Sequence, residues 1–231
     1  MNDAVVKKIL AEGASLVAFA DLSRLPRSAG GDWPVGISIA IALNPAVVRR
    51  IPSGPHEDYS HEYDRVNAAL DNLGAVTEKW LVSAGYNACA ITRDRAPYEK
   101  TSYATRIPHK TAASLAGLGW IGKNALLVTM KFGCALRLTT VLTDAPLRPN
   151  AITTEPKCGS CTVCRDVCPG SAIKGKMWSD TLERDDLVNP GRCDETTGAR
   201  GLDLKFRSAT CGLCFAACPY TKRYLASLIA S

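Results

Sequence analysis

Cys158-Gly159-Ser160-Cys161-Thr162-Val163-Cys164-Arg165-Asp166-Val167-Cys168-Pro169 is the stretch on which the reading of this chain turns. Its cysteines are spaced x2, x2 and x3, with a proline after the last, and this is a spacing that holds [4Fe-4S] cubes. A cube offers four iron corners to thiolates. Three cysteines on a tight loop supply three of them, a distant cysteine closes the site, and the fourth cysteine of the run serves a second cube. The competing reading is structural zinc, but zinc sites favour two separated Cys-x2-Cys pairs.

A second run repeats the first with one gap. Cys211-x2-Cys214-x3-Cys218-Pro219 has the right spacing, but the leading position, three before Cys211, is Ser208. Three thiolates would leave one iron open, and Cys193, a loop upstream, is the replacement. The crossed assignment follows. Cys158, Cys161, Cys164 and Cys218 take the first cluster, and Cys168, Cys193, Cys211 and Cys214 take the second. Cys89 and Cys134 remain, both in apolar, strand-like surroundings, and are read as small core residues.

Eight of the 10 cysteines lie after residue 157. Met1-Asn2-Asp3-Ala4-Val5-Val6-Lys7-Lys8 lacks the cationic-then-apolar layout of an export signal. The sequence therefore points to a reducing, cytoplasmic setting in which clustered cysteines mean metal rather than disulfides. The longest uncharged apolar run, from Val35 to Val48, is broken by Asn44-Pro45 and is too short to span a bilayer, so no membrane role is expected. The 231 residues are 46% hydrophobic and 22% charged, the balance of a globular chain. The net charge of +6 is scattered, with no basic stripe or stacking motif of the kind that nucleic-acid binders carry.

Pro146, Pro149 and Pro156 interrupt regular structure between Ala145 and Lys157 and set a boundary there. The expected domains are residues 1–150, an α+β domain, and residues 151–231, the double-cluster module. In the first, Ser15 to Ala20 and Ala88 to Thr92 read as short strands, and Leu126 to Thr129 and Ala135 to Thr143 as two more. Val35, Ile37, Ile39, Ile41 and Leu43 alternate with Gly36, Ser38, Ala40 and Ala42, a strand with small residues on its second face. Tyr63, Val66, Leu70, Leu73, Val76, Trp80 and Ala84 recur at helical spacing, giving one long amphipathic helix stopped by Gly85.

Gly117-Leu118-Gly119-Trp120-Ile121-Gly122 matches the dinucleotide fingerprint in letters only. That motif needs a strand before it and a helix after it. Here a helix opens after Pro108 and closes on Gly117, and Trp120 would crowd a pyrophosphate. The segment reads instead as a rigid turn carrying Trp120, Lys123 and Asn124.

Taken together, Ala116-Gly117-Leu118-Gly119-Trp120-Ile121-Gly122-Lys123-Asn124, then Phe132-Gly133, then Leu142-Thr143-Asp144, then the two cysteine runs resemble the core of the epoxyqueuosine reductases. They resemble the reductive dehalogenases more distantly. The resemblance implies an α+β fold in which a nitroreductase-like α/β N-terminal domain precedes a ferredoxin-like module with two [4Fe-4S] clusters. It implies a base-off cobalamin supplied with electrons by the clusters. Its pocket would be formed by Lys110, Gly117, Gly119, Trp120, Ile121, Gly122, Lys123 and Asn124, with Lys123 and Asn124 reaching the corrinoid amides. The family's proton-donating Asp has no match at its usual spacing, and counting back from Trp120 lands on Tyr103. Asp94-Arg95-Ala96-Pro97 lies too far upstream unless a loop was inserted. His109 is the rival donor, because its reference pKa near 6.5 suits proton exchange at neutral pH.

His109-Lys110 stands where the tRNA-modifying enzyme has an acidic-basic pair. The helical-repeat region that helps that enzyme hold tRNA has no counterpart before Ser231, which makes a tRNA substrate doubtful. Two functions remain. One is a cobalamin-dependent reductase of a small molecule or modified nucleoside, drawing on a low-potential donor such as ferredoxin or flavodoxin. The other is a ferredoxin-like electron carrier or activator without catalysis of its own, although such a carrier needs only the last 75 or so residues.

Overall fold

A computed structural model describes residues 1–54, 57–95, 105–152, 155–203 and 211–227. In chain order the elements are α1 (Asn2–Ala11), β1 (Leu16–Asp21), β2 (Val35–Ala42), α2 (Pro45–Arg50), α3 (Glu57–Ser83), β3 (Ala88–Ala90) and α4 (His109–Leu115). There follow β4 (Trp120–Ile121), β5 (Leu127–Val128), β6 (Leu136–Thr143), α5 (Val163–Asp166), α6 (Arg184–Leu187), α7 (Pro190–Asp203), α8 (Leu213–Ala216) and α9 (Pro219–Ser227). Among the described residues, no helix is long and apolar enough to cross a membrane.

These elements form two compact units that interleave along the chain. The first comprises Met1–Ile41, Val66–Gly119 and Arg137–Thr154, and the second Ala42–Arg65, Trp120–Leu136 and Glu155–Ser231. A division at 150/151 assigns residues 42–65 and 120–136 to the N-terminal part, whereas here both pieces belong with the cysteine runs.

The first unit is built on a four-stranded sheet in the order β1-β2-β6-β3, with β1 antiparallel to β2 and β3 antiparallel to β6. The small-residue face expected of β2 has a clear use. Ala18 and Ala20 of β1 lie opposite Ser38 and Gly36 of β2, so all four share one side of the sheet. α4 packs on β1, and Ala116 just beyond it joins Ala18, Ala20, Leu22, Ile107 and Leu142 in one buried cluster. A helix of small residues approaches closely only where the facing strand is also small. Pro108 opens α4, and Gly117 at φ 73° closes it in the left-handed conformation that glycine adopts without strain. Cys89 packs partly buried against this same cluster, consistent with a core role.

α3 realises the long amphipathic helix, with Val66, Leu70, Leu73 and Leu81 buried. Gly85 follows it at φ 89°. Its Gly74 passes close to the sheet, where an added Cβ would stand 3.3 Å from that of Ala90. α1 is an element the sequence reading had not distinguished, and it buries Val5 and Ile9.

His109, at the first turn of α4, has Nδ1 3.0 Å from Thr140 Oγ1 of β6. Desolvation, followed by the positive charge of Arg137, lowers its pKa to about 4, with Asp71 opposing weakly. Of the chain's 3 histidines, His109 should therefore keep a neutral ring through the whole range from pH 7 down to about 4.5, well below the reference value near 6.5. NMR titration of the ring carbons should show one histidine that does not titrate in that window, and the signal should vanish in His109→Gln. The unfolded chain takes up this proton near 6.5. The fold thus meets no penalty from His109 above that pH and a growing one as pH falls toward 4.

Candidate metal centres

The two cysteine runs of the second unit have the same local form. Gly159 follows Cys158 at φ 51° and Gly212 follows Cys211 at φ 74°, both in the region that favours glycine. Each turn leads into a single helical turn, α5 within the first run and α8 within the second. The amide of Cys161 bonds the Cys158 carbonyl at 3.1 Å, and that of Cys168 the Arg165 carbonyl at 3.2 Å. α5 packs on α8.

Ser208 lies outside the described residues, but the path of the chain from Cys168 to Cys193 is described. After Cys168-Pro169 the chain doubles back through a bridge between Ile173 and Val188. Asn189 then starts α7, its Oδ1 accepting from the Arg192 amide at 3.0 Å. Gly170 is where α7 comes close. A Cβ there would stand 2.1 Å from Thr196 Oγ1 and 3.0 Å from the Arg192 carbonyl. The first turns of α7 are therefore pressed against the residue following Cys168-Pro169, and Cys193 lies on them.

The thiols make themselves felt in two groups. Burial, then the charges of Cys158, Cys218 and Cys161, push Cys164 up to about 11. Burial also raises Cys193, where Cys168 and Cys211 add to the effect while a Thr197 hydrogen bond opposes it. Cys214 is raised furthest, by burial and then by Cys193, Cys211, Cys164 and Cys168 in that order. Apart from Cys164 acting on Cys214, these neighbours are the members of the crossed assignment. Cys158, Cys161, Cys164 and Cys218 also line one cavity of about 160 Å³, where a single buried water needs roughly 10–15 Å³. Among the described residues, no three His, Cys, Asp or Glu side chains converge as ligands of one metal ion. The ligands of a cube each meet a different iron, so they need not converge on one point.

The end of the glycine turn, Lys123 and Asn124, belongs to this cavity's walls. Trp120, Ile121, Gly122, Lys123 and Asn124 lie in the second unit, and Gly117, Gly119, His109 and Lys110 in the first. β4 and β5 pair antiparallel, Trp120 with Val128 and Ile121 with Leu127. Lys123, 8% exposed, donates from Nζ to the Cys161 carbonyl at 2.9 Å and lines the cavity with Asn124, Lys157 and Tyr220. Trp120 is 2% exposed and meets the Tyr220 ring edge-on at 4.9 Å. Its indole N–H is buried without an acceptor.

Cys134 is buried as expected of a core residue, but its surroundings are not those of an ordinary core. Its Sγ accepts from the Asn124 side-chain amide at 3.6 Å, and its backbone amide donates to Thr221 Oγ1, just beyond the second cysteine run, at 3.0 Å. Sequence reasoning missed this, because spacing within the two runs does not show what a separate strand brings to them.

Two sequence-based assignments change or fall outside view. Tyr103 lies outside the described residues. His109, held neutral, carries no imidazolium proton at pH 7.

Comparison with known proteins bears on this arrangement. Residues 157–221 match the 4Fe-4S double cluster binding domain. An epoxyqueuosine reductase from Synechococcus is 30% identical over 194 residues, covering 82% of this chain and 56% of that protein. The chain is an epoxyqueuosine reductase-like iron-sulfur protein. The Bacillus anthracis epoxyqueuosine reductase is 40% identical over 67 residues, 29% of this chain and 17% of its own length. The epoxyqueuosine reductase-like chain thus spans little more than half of one of these relatives and far less of the other. Among solved structures, epoxyqueuosine reductase from Streptococcus thermophilus superposes with a TM-score of 0.63 at 19% identity, covering 96% of this chain and 66% of that one. A reductive dehalogenase, whose structure suggests a mechanism for B12-dependent dehalogenation, gives 0.68 at 15% identity, covering 92% and 31%. At these identities the likeness is one of fold.

The position of Gly122 makes a prediction. A Cβ there would stand 2.7 Å from Val128 Cγ2 and 2.8 Å from Asn124 Oδ1. Gly122→Ala should therefore displace Asn124 and cost about 1–3 kcal/mol of overpacking. Thermal melting of the iron-loaded protein should fall and iron retention should drop, whereas Gly85→Ala, with nothing near its Cβ, should leave iron content unchanged.

Proposed function

We propose that this chain is an iron-sulfur oxidoreductase in which two [4Fe-4S] clusters pass electrons singly from a low-potential donor, such as ferredoxin or flavodoxin, to a corrinoid. The observation that carries the reading is the grouping of the thiols. Cys158, Cys161, Cys164 and Cys218 line one cavity, and Cys168 and Cys211 both help to raise Cys193 and Cys214. We assign the first set to one cluster and the second to the other. Three backbone hydrogen bonds suit these roles. The Ala172 amide donates to Cys168 Sγ at 3.3 Å, and the Tyr220 and Thr221 amides donate to Cys218. N–H donors of this kind stabilise the negative charge that a reduced cluster places on its sulfurs.

The corrinoid rests on the likeness to the epoxyqueuosine reductases and to the B12-linked dehalogenase. The residues of the glycine turn fit it in part. Trp120 holds a buried donor without an acceptor, and Lys123 has ammonium donors beyond the one on Cys161, so these two are available to corrinoid amides. Asn124 is not, because Cys134 and the Leu126 amide engage both ends of its side chain. When bound, a cobalamin supplies a cobalt centre that accepts electrons one at a time and delivers them to carbon. The reading includes a nitroreductase-like N-terminal fold, and Tyr103 would supply the substrate proton. One epoxyqueuosine reductase structure, with a TM-score of 0.62 at 19% identity over 96% of this chain, contains a modified tRNA stem loop. For this chain we favour a small molecule, on the absence of any basic stripe.

Two measurements test the proposal. Cys193→Ala should lose about four of eight irons per chain, because one cube loses a corner, while Cys89→Ala should lose none. Equal loss from both would refute the ligand set. Anaerobic titration of the iron-loaded protein with cob(II)alamin should give the EPR signal of a base-off complex. If binding is absent, the chain is an electron carrier rather than a corrinoid reductase.

A further inference from the structure

Lys123 lies in the loop that joins β4 to β5. The Gly122 amide donates to the Leu126 carbonyl at 2.9 Å, and the Ala125 amide to the Gly122 carbonyl at 2.8 Å. Ala125 closes the loop at φ 58°. This is the pattern of a three-residue hairpin loop that ends on a left-handed residue. Glycine is usual at that last position, yet here an alanine holds it and is buried. The Leu126 amide also donates to Asn124 Oδ1 at 3.2 Å, so the loop is fixed on both sides of its tip. Loops ordinarily run over the surface. This one is turned inward, for Lys123 and Asn124 are both buried.

The Lys123 ammonium is buried without a carboxylate. It donates to the Cys161 carbonyl at 2.9 Å, and none of the salt bridges among the described residues involves it. Lysine is almost never buried unless its charge is paired. The counter-charge at hand is that of the cysteines, since Lys123 lines one cavity with Cys158, Cys161, Cys164 and Cys218. Lys157 lines it too, but is exposed, where salt and water screen its charge. A buried charge is screened much less.

We propose that Lys123 sets the reduction potential of the cluster assigned to Cys158, Cys161, Cys164 and Cys218, its buried ammonium raising that potential. The inference rests on the ligand assignment above. Reduction adds one electron from an external low-potential reductant, no covalent bond is made or broken, and the ammonium keeps its protons. The cube with its thiolates becomes more negative by one charge, so a fixed positive charge beside it stabilises the reduced form more than the oxidised one. Electrons entering the pair of clusters are thereby drawn to the one beside the glycine turn.

The test is an EPR-monitored redox titration of the iron-loaded protein with dithionite, with iron counted first. Wild-type protein should hold about eight irons and show two midpoint potentials. Wild type holding only four would overturn the ligand reading itself, before any variant is made. Lys123→Met, which keeps the apolar stem, and Lys123→Gln, which keeps a donor without the charge, should both retain the iron. Each should move one potential in the negative direction by about 59 mV, a tenfold change in a one-electron equilibrium. The other potential should stay in place, and Lys123→Arg, which keeps the charge, should hold the first near its wild-type value. Unchanged potentials in Met and Gln, or equal movement of both potentials, would overturn the proposal. A wild-type value in Gln alone would also do so, by assigning the effect to the hydrogen bond rather than the charge. Loss of iron from both Met and Gln would do so as well, by making Lys123 a structural requirement of the cysteine run.

Discussion

Two cubes of iron and sulfide need eight thiolates held at set separations, and the segment that carries them is poor in material for holding anything. Residues 155–203 and 211–227 form short helices and tight turns, with few buried apolar side chains between them. A module of that size usually takes part of its folding energy from the metal. Here it also draws on two segments from elsewhere in the chain. Tyr59 meets Phe215 edge-on at 5.6 Å, and Phe132 meets Tyr224 at 5.1 Å. Tyr224 then donates to the Leu43 carbonyl at 3.2 Å. Each buried aromatic of this kind contributes roughly 1.5–3 kcal/mol. Residues 42–65 and 120–136 are the scaffold on which the cysteine runs are assembled.

The same economy explains the glycine turn. Its three glycines invite comparison with a nucleotide loop, yet Gly122 is small so that Asn124 and Val128 can close over it. Lys123 places a buried positive charge on a carbonyl of the first cysteine run. An ammonium in that position answers the negative charge of a thiolate-bound cluster, which is reason enough for a lysine to be buried there.

Much of this was legible in the sequence, though unevenly. β1, β2, β6, α3 and α4 follow from periodicity and punctuation, and the small face of β2 anticipated the close approach of α4. The double-cluster module was legible because cysteine spacing encodes it directly. Periodicity names elements but not their neighbours, so the affiliation of residues 120–136 with the cysteines could not be read from it. Cys134 shows the same limit on the scale of one residue, for its burial was legible and its partner was not. His109 failed differently, since a reference pKa says nothing of the desolvation that the packing of α4 imposes.

The interleaving of the two units has a consequence for how the chain is made. Tyr59, Trp120 and Phe132 leave the ribosome long before Phe215, Tyr220 and Tyr224, the rings they meet. Contacts at such separation form slowly, and their apolar partners stay exposed in the interval. The first unit too is closed only when β6 inserts between β2 and β3. A nascent protein stalled before residue 211 thus presents sticky aromatic surface and lacks Cys211, Cys214 and Cys218, so the full set of thiols is present only once that segment has been made.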